Sequence, residues 1–575
     1  HWPVPGVPGE TGATSSSLLP ASVVEPTRLR RRRALTSSLL AGVLSLGPLL
    51  APPLRAAEQL DIRLEGLDLP LNLVELERWS RDPSTRAGEL AVWLNLLDPQ
   101  SQQQLHQLLN APLVRERSFT QQMMRSWAGQ RVAEELGVLI STENDNAGPL
   151  VLSTLNSLLK EQRQVTVIEL MRALPAQQLT INLDGLQLLA RGWQQQLFDQ
   201  ELALKALQTL PLPQGTPLLP LSDGVLLDQQ SSAADQPPQR WRLPVPHRQQ
   251  PLALELWPVP DAKTWVLLMP GLGGSTDQLR WLAQALHERD WPVVLLDHPG
   301  SNELAVRELV QGRRLPPGAE TLPGRVQDLQ AVVAAAQTGG LPQLGQRVVL
   351  MGHSLAGLTS LLAAGLRPEP GLQRRCKRSL ADLPLINLSR LLQCQLPEVP
   401  LPPVQPLAQP IAGVVTLNGF GSLLWPHRGL RGLQAPVVMV GGSLALSTPP
   451  LSEQLHLFLP DPNPRSRLVL LEGASHFSPV RMQAGGEAPL FKFGEEWVGV
   501  DPARVQNLIL SLSSEFLWGL DQGGLKRDLP PQRRHVGGVS AYVLDHDLAK
   551  LWQERIEVRT SRVDRVAPPA GPPAR

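Results

Sequence analysis

Six short, almost wholly apolar runs recur through the second half of this sequence, and they restrict its fold more than any other feature: 266–269, 293–296, 348–351, 414–417, 437–440 and 468–471. A strand with one wet face alternates apolar and polar residues, so a run that is apolar throughout is buried on both faces, as in the interior of a parallel sheet. Parallel neighbours need a crossover, and the segments between these runs are long enough to hold helices. Leu279, Leu282, Ala283 and Leu286 make one helical stripe, and Val326, Leu329, Val332 and Val333 make another. Leu252-Ala253-Leu254-Glu255-Leu256 alternates, as an early strand with one half-exposed face would. The pattern predicts an α/β domain over 241–520.

A chain of 575 residues exceeds one compact core. Residues 58–200 read as a separate, mainly helical domain with short alternating segments at Leu60–Leu64 and 180–183. Residues 201–240, rich in Pro, Gln, Ser and Asp, read as a linker, and 521–575 as a partly disordered C-terminal extension. Residues 1–57 read as an export signal behind a spurious or flexible leader. Arg28 and Arg30 to Arg33 precede the uncharged apolar run 34–50, which is short for a membrane span. The alternative is an N-terminal membrane anchor. Because basic residues normally open such a signal, translation is expected to start near Val23 or Val24. Cys376 and Cys394, the two cysteines, would form one disulfide in an exported protein, or two buried thiols otherwise. Lys and Arg number 53 against 52 Asp and Glu, which gives no electrostatic case for a nucleic-acid partner.

The chemistry concentrates in three loops. After the run 348–351 comes Gly352-His353-Ser354-Leu355-Ala356-Gly357, followed by a helix-forming Leu/Ala stretch. A serine hydroxyl is a weak nucleophile and must be presented on a tight strand-to-helix turn, which needs small residues two before and two after it. Gly352 and Ala356 occupy those places, with alanine where glycine is usual. The serine needs an imidazole to take its proton. His476, in Glu472-Gly473-Ala474-Ser475-His476-Phe477 just after the last apolar run, has the right place and chain order. An oxyanion needs two backbone donors. The N–H of Leu355 is one, and that of Leu272 in Met269-Pro270-Gly271-Leu272-Gly273-Gly274 is the other. No phosphate-loop lysine, dinucleotide fingerprint or clustered metal ligands occur, so no cofactor and no metal is expected.

These three motifs resemble those of the α/β-hydrolase superfamily, with bacterial esterases and lipases and the platelet-activating-factor-acetylhydrolase-like group as the nearest relatives. The resemblance covers about 240–515 and implies a mostly parallel, eight-stranded sheet. Residues 57–200, opening Ala57-Glu58-Gln59-Leu60 and holding Leu76-Glu77-Arg78-Trp79, resemble an uncharacterised bacterial domain found ahead of such hydrolases. The resemblance also implies a triad acid after the run 437–440, but there the sequence reads Gly441-Gly442-Ser443-Leu444-Ala445-Leu446-Ser447-Thr448-Pro449-Pro450, with Ala445 at that place. Asn418 and Glu453 are the candidates to replace it, and Asp461 is a third. The insertion 368–410, leucine- and proline-rich, is expected to cap the site and favour an apolar ester.

The reading is therefore a serine esterase, lipase-like and exported, acting on a small or lipid-like ester. Its alternative is a catalytically impaired scaffold that binds a partner. Contact with a membrane surface is a further expectation, and the sequence names no protein partner for 58–200.

Overall fold

Alternate residues of each apolar run face opposite sides of one sheet, and each side is covered by helices. In chain order its strands are β1 (Gln239–Leu243), β2 (Leu252–Trp257), β3 (Thr264–Met269), β4 (Val293–Leu296), β5 (Arg347–His353), β6 (Ile411–Leu417), β7 (Val437–Leu444), β8 (Arg467–Ser475), β9 (Gln532–Val536) and β10 (Val539–Leu544). Across the sheet they run β9-β10-β8-β7-β6-β5-β3-β4-β2-β1. Strands β8 to β4 are mutually parallel, and the two strands at each edge are antiparallel additions. The order of β1 to β8 is that of the α/β-hydrolase fold.

The sheet has ten strands rather than eight, because residues from 521–575 add β9 and β10. Their turn is Gly537-Gly538, both at positive φ (58° and 83°), which suits a two-residue hairpin. Every residue of β10 is buried. The Gly-Gly pair before Val539-Ser540-Ala541-Tyr542-Val543-Leu544 was the available signal; the register with β8, where Val543 pairs with Val469, was not readable from it.

The computed structural model describes residues 57–566 except 86–87, 115–116, 143–144, 162–163, 216–236, 343, 382–386, 402, 404, 482–498 and 523–527. The export segment, the start near Val23 and most of the linker thus lie outside the described residues. The N-terminal layer consists mainly of helices and carries a small sheet that includes both alternating segments. A five-stranded sheet pairs Gln59–Leu64 with both Leu67–Asn72 and Gln178–Asn182, and extends through Ile140–Thr142 to Asp145–Asn146. Helices pack on it around a core including Leu73, Trp79, Leu159 and Leu179. Helix starts are locally encoded: the Asn72 side chain accepts from Val74 and Glu75 amides, and Thr166 with Glu169 forms a capping box.

Helix α1 (Leu183–Gln208) runs past residue 200 into the segment expected to be linker. Ala203, Ala206 and Leu207 lie on its inner face and enter the hydrolase core. Trp552 Nε1 donates to Ala203 O at 2.8 Å.

One side of the main sheet is covered by α2 (Arg280–His287) and, far along the chain, Pro502–Gln522. The other carries α3 (Leu322–Thr338), α4 (Leu355–Ala363) and His546–Val566. Val266 and Leu268 face the first side while Leu267 and Met269 face the second, as the two-residue period requires. The insertion contributes α5 (Leu372–Ala381) and α6 (Ser389–Gln395), joined by a Cys376–Cys394 disulfide. Among the described residues no helix is long and apolar enough to cross a membrane.

Candidate active site

Strand β5 ends at His353, helix α4 starts at Leu355, and Ser354 alone makes the turn, at φ 52° and ψ −117°. That conformation costs a non-glycine residue about 1–3 kcal/mol and persists only where the surroundings impose it. Here the Ser354 N–H donates to Leu417 O at 2.8 Å, and its carbonyl accepts from Gly357 N at 2.9 Å. A Cβ on Gly352 would lie 2.4 Å from Ala356 C and 2.8 Å from its Cβ. Alanine is therefore accommodated at the second small position because glycine holds the first. Ser354 remains partly exposed, whereas every residue from Leu355 to Ala363 in α4 is packed inside.

His476 follows β8 directly and is buried, with Phe477 edge-on to it at 5.2 Å. Its ring centroid is 4.9 Å from that of His353, the residue before Ser354. His353 Nε2 donates to His476 O at 2.9 Å, which ties the base loop to the nucleophile turn. Burial, with His353 adding to it, holds the His476 imidazole well below its ordinary pKa, so the ring is neutral near pH 7.

The residue on His476 Nδ1 is Thr448, whose Oγ1 lies 3.0 Å away. Neither replacement acid expected from sequence meets the imidazole. Asn418, at the end of β6, donates from Nδ2 to His476 O (3.0 Å) and Ser475 O (3.2 Å) and accepts from Gly442 N. It clamps the backbone of the base loop, not its ring. Glu453 is fully buried and accepts from Asn387 Nδ2, Gly421 N, Ser422 N and Ser422 Oγ at 2.7–3.0 Å. Those partners link the insertion to the loop after β6. Asp461 is an exposed turn residue near Arg431, and Ala445 is fully buried. Sequence reasoning missed Thr448 because a hydroxyl before Pro449-Pro450 looks like any turn residue; only the approach of the β8 loop gives it a partner.

The chemical consequence is specific. In the tautomer a base needs, Nδ1–H donates to Thr448 and Nε2 keeps its lone pair for the serine proton. Threonine orients the ring but adds no charge to stabilise an imidazolium.

The loop after β3 packs on the nucleophile turn. A Cβ on Gly271 would stand 3.0 Å from His353 Nδ1, 3.2 Å from His353 O and 3.3 Å from Ser354 Cβ, so a larger residue would push the two turns apart by a few tenths of an ångström. Gly273 N donates to Ser301 O at 2.7 Å and Gly274 N to Gly271 O at 3.3 Å. Among the described residues the amides of Leu272 and Leu355 donate to no group of the chain. Leu355 opens α4, where the first amides lack helical acceptors and carry partial positive charge. Among the described residues no three or more His, Cys, Asp or Glu gather as a metal site.

A family model described as alpha/beta hydrolase of unknown function (DUF1400) matches residues 56–182, in the N-terminal layer. Among solved structures, a dienelactone hydrolase from Anabaena variabilis is similar over 49% of this chain and 97% of its own, at 19% identity and a TM-score of 0.30. No curated protein matches the chain in sequence. With β1 to β8 in their characteristic order, Ser354 after β5 and His476 after β8, the chain is a protein of the α/β-hydrolase fold.

Proposed function

We propose that this protein is a serine hydrolase that cleaves a small or lipid-like carboxylic ester through an acyl-enzyme. The observation that carries the reading is the positive-φ turn at Ser354, a strained geometry that a merely structural serine has no need of. Ser354 Oγ bonds the ester carbonyl as its proton passes to His476 Nε2. The amides of Leu272 and Leu355 hold the oxyanion. The carbon–oxygen bond to the alcohol then breaks, and the proton on His476 goes to the departing alkoxide. Water, deprotonated by His476, attacks the acyl-enzyme and releases the acid and free Ser354.

Phe477, half-exposed beside His476, supports an apolar substrate. The disulfide in the insertion supports an oxidising compartment, and so export, with an N-terminal anchor as the alternative. The scaffold reading is favoured by one observation, that among the described residues a hydroxyl and not a carboxylate faces Nδ1. Fluorophosphonate labelling and nitrophenyl-ester hydrolysis by wild type and Ser354→Ala decide between them. Ser354-dependent labelling is expected; its absence in wild type defeats the hydrolase reading and leaves the scaffold.

A further inference from the structure

One buried cation ties together the elements that carry both oxyanion donors. Arg325, in the first turn of α3, is 1% exposed. Its Nη2 donates to Pro270 O at 2.6 Å, its Nη1 to Ser301 Oγ at 2.7 Å and its Nε to Thr359 Oγ1 at 3.3 Å. Each acceptor leads to the site. Pro270 opens the loop of Leu272, and Ser301 accepts the amide of Gly273, the residue after Leu272. Thr359 Oγ1 donates to Leu355 O at 2.9 Å, one helical turn back in α4.

A packing role alone does not account for this residue. Burying a guanidinium costs several kcal/mol, and apolar side chains of similar volume usually serve a core as well or better. The nearest carboxylate in its own helix, Asp328, makes its hydrogen bonds to His247, His298 and Arg248 rather than to Arg325. Burial pushes the Arg325 pKa down to about 9, which still leaves it charged at neutral pH. What the guanidinium supplies, and an apolar residue could not, is three donors in one rigid plane.

We propose that Arg325 is a positioning residue for the oxyanion hole: bound to Pro270 O, Ser301 Oγ and Thr359 Oγ1, it fixes the amides of Leu272 and Leu355 relative to each other. The proposal rests on the serine-hydrolase reading. An oxyanion hole requires donors 2.7–3.1 Å from the oxygen that forms, and a misplacement of about 1 Å can lower the rate about 100-fold. No charge on Arg325 needs to reach the substrate for the effect.

The test uses the full chain and three variants: Arg325→Lys, Thr359→Val and Thr359→Ser. Arg325→Lys loses the plane, while Thr359→Val cuts only the link to Leu355 and keeps the test open if the lysine variant does not fold. For nitrophenyl acetate, Thr359→Val is expected to lower kcat about 10-fold and Arg325→Lys about 100-fold, with KM unchanged. A trifluoromethyl ketone, whose adduct presents an oxyanion, should lose affinity by the same factors. Thr359→Ser should restore both. Unchanged kcat in a folded Thr359→Val, or equal losses in kcat and in 1/KM, would overturn the proposal while Ser354 labelling leaves the hydrolase reading intact. Failure of Ser354 labelling in wild type would overturn both.

Discussion

On the proposed hydrolase reading, Thr448 holds the position that a triad acid would take, beside His476 Nδ1. A carboxylate there would orient His476 and balance its charge, whereas the hydroxyl only orients. Removing the triad carboxylate while keeping its geometry lowers kcat about 10⁴-fold in a well-studied protease, so the proposed hydrolase is expected to turn over slowly. Thr448→Ala should lower kcat a further 10-fold or so, on the scale of one lost orienting hydrogen bond, with KM little changed. Ala445→Asp, which puts a carboxylate at the place the resemblance implies, should raise kcat if the loop accepts it; steady-state kinetics of both variants check this. The pH profile follows from the depressed pKa of His476. A base must be unprotonated, and burial keeps it so to lower pH, so the acid limb of kcat/KM should lie below the ordinary histidine value of 6.5. A limb at or above 6.5 would show that His476 is not the titrating base.

At the scale of elements, the insertion is held by two kinds of link. The Cys376–Cys394 bridge joins α5 to α6, 18 residues apart, and Glu453 receives donors from Asn387 in the insertion and from Gly421 and Ser422 after β6. Ser389 N also donates to Ser447 O, next to Thr448. Glu453→Ala would strand several buried donors, and a loss of about 3–5 kcal/mol in denaturant unfolding is expected, as for a broken buried network. Had Glu453 been the triad acid, Glu453→Gln would lower kcat without a stability change. The placement found here predicts the reverse, a stability loss with little change in kcat per folded molecule. Sequence spacing put Glu453 within reach of the site because it lies near β7 in the chain. Its actual neighbours come from residues 60 or more positions away in the insertion and about 30 away after β6.

At the scale of the molecule, three buried histidines among the described residues link stability to pH. His298 and His353 are pushed down to about 4 by burial, and His476 shifts the same way. A group whose folded pKa is depressed contributes fully above its unfolded value and loses that contribution as pH falls toward the folded one. Thermal unfolding should therefore show Tm steady above about pH 6.5 and falling steeply from there to about pH 4. His353→Gln should flatten that fall.

The sequence by itself determined the buried strands and the crossovers of an α/β sheet and the tight turn at Ser354, because each is set by local periodicity or by a steric need within a few residues. Gly352, Ser354 and Ala356 are such a case. What only tertiary structure decided is what lies across gaps in the chain. Thr448 takes Nδ1, Asn418 and Glu453 turn to other partners, Arg325 reaches two loops and helix α4, and β9 and β10 join the sheet at β8, with Val543 beside Val469. Such partners are fixed by how the sheet brings its strand ends together, and hydrogen bonds between distant residues leave no period or spacing in the sequence.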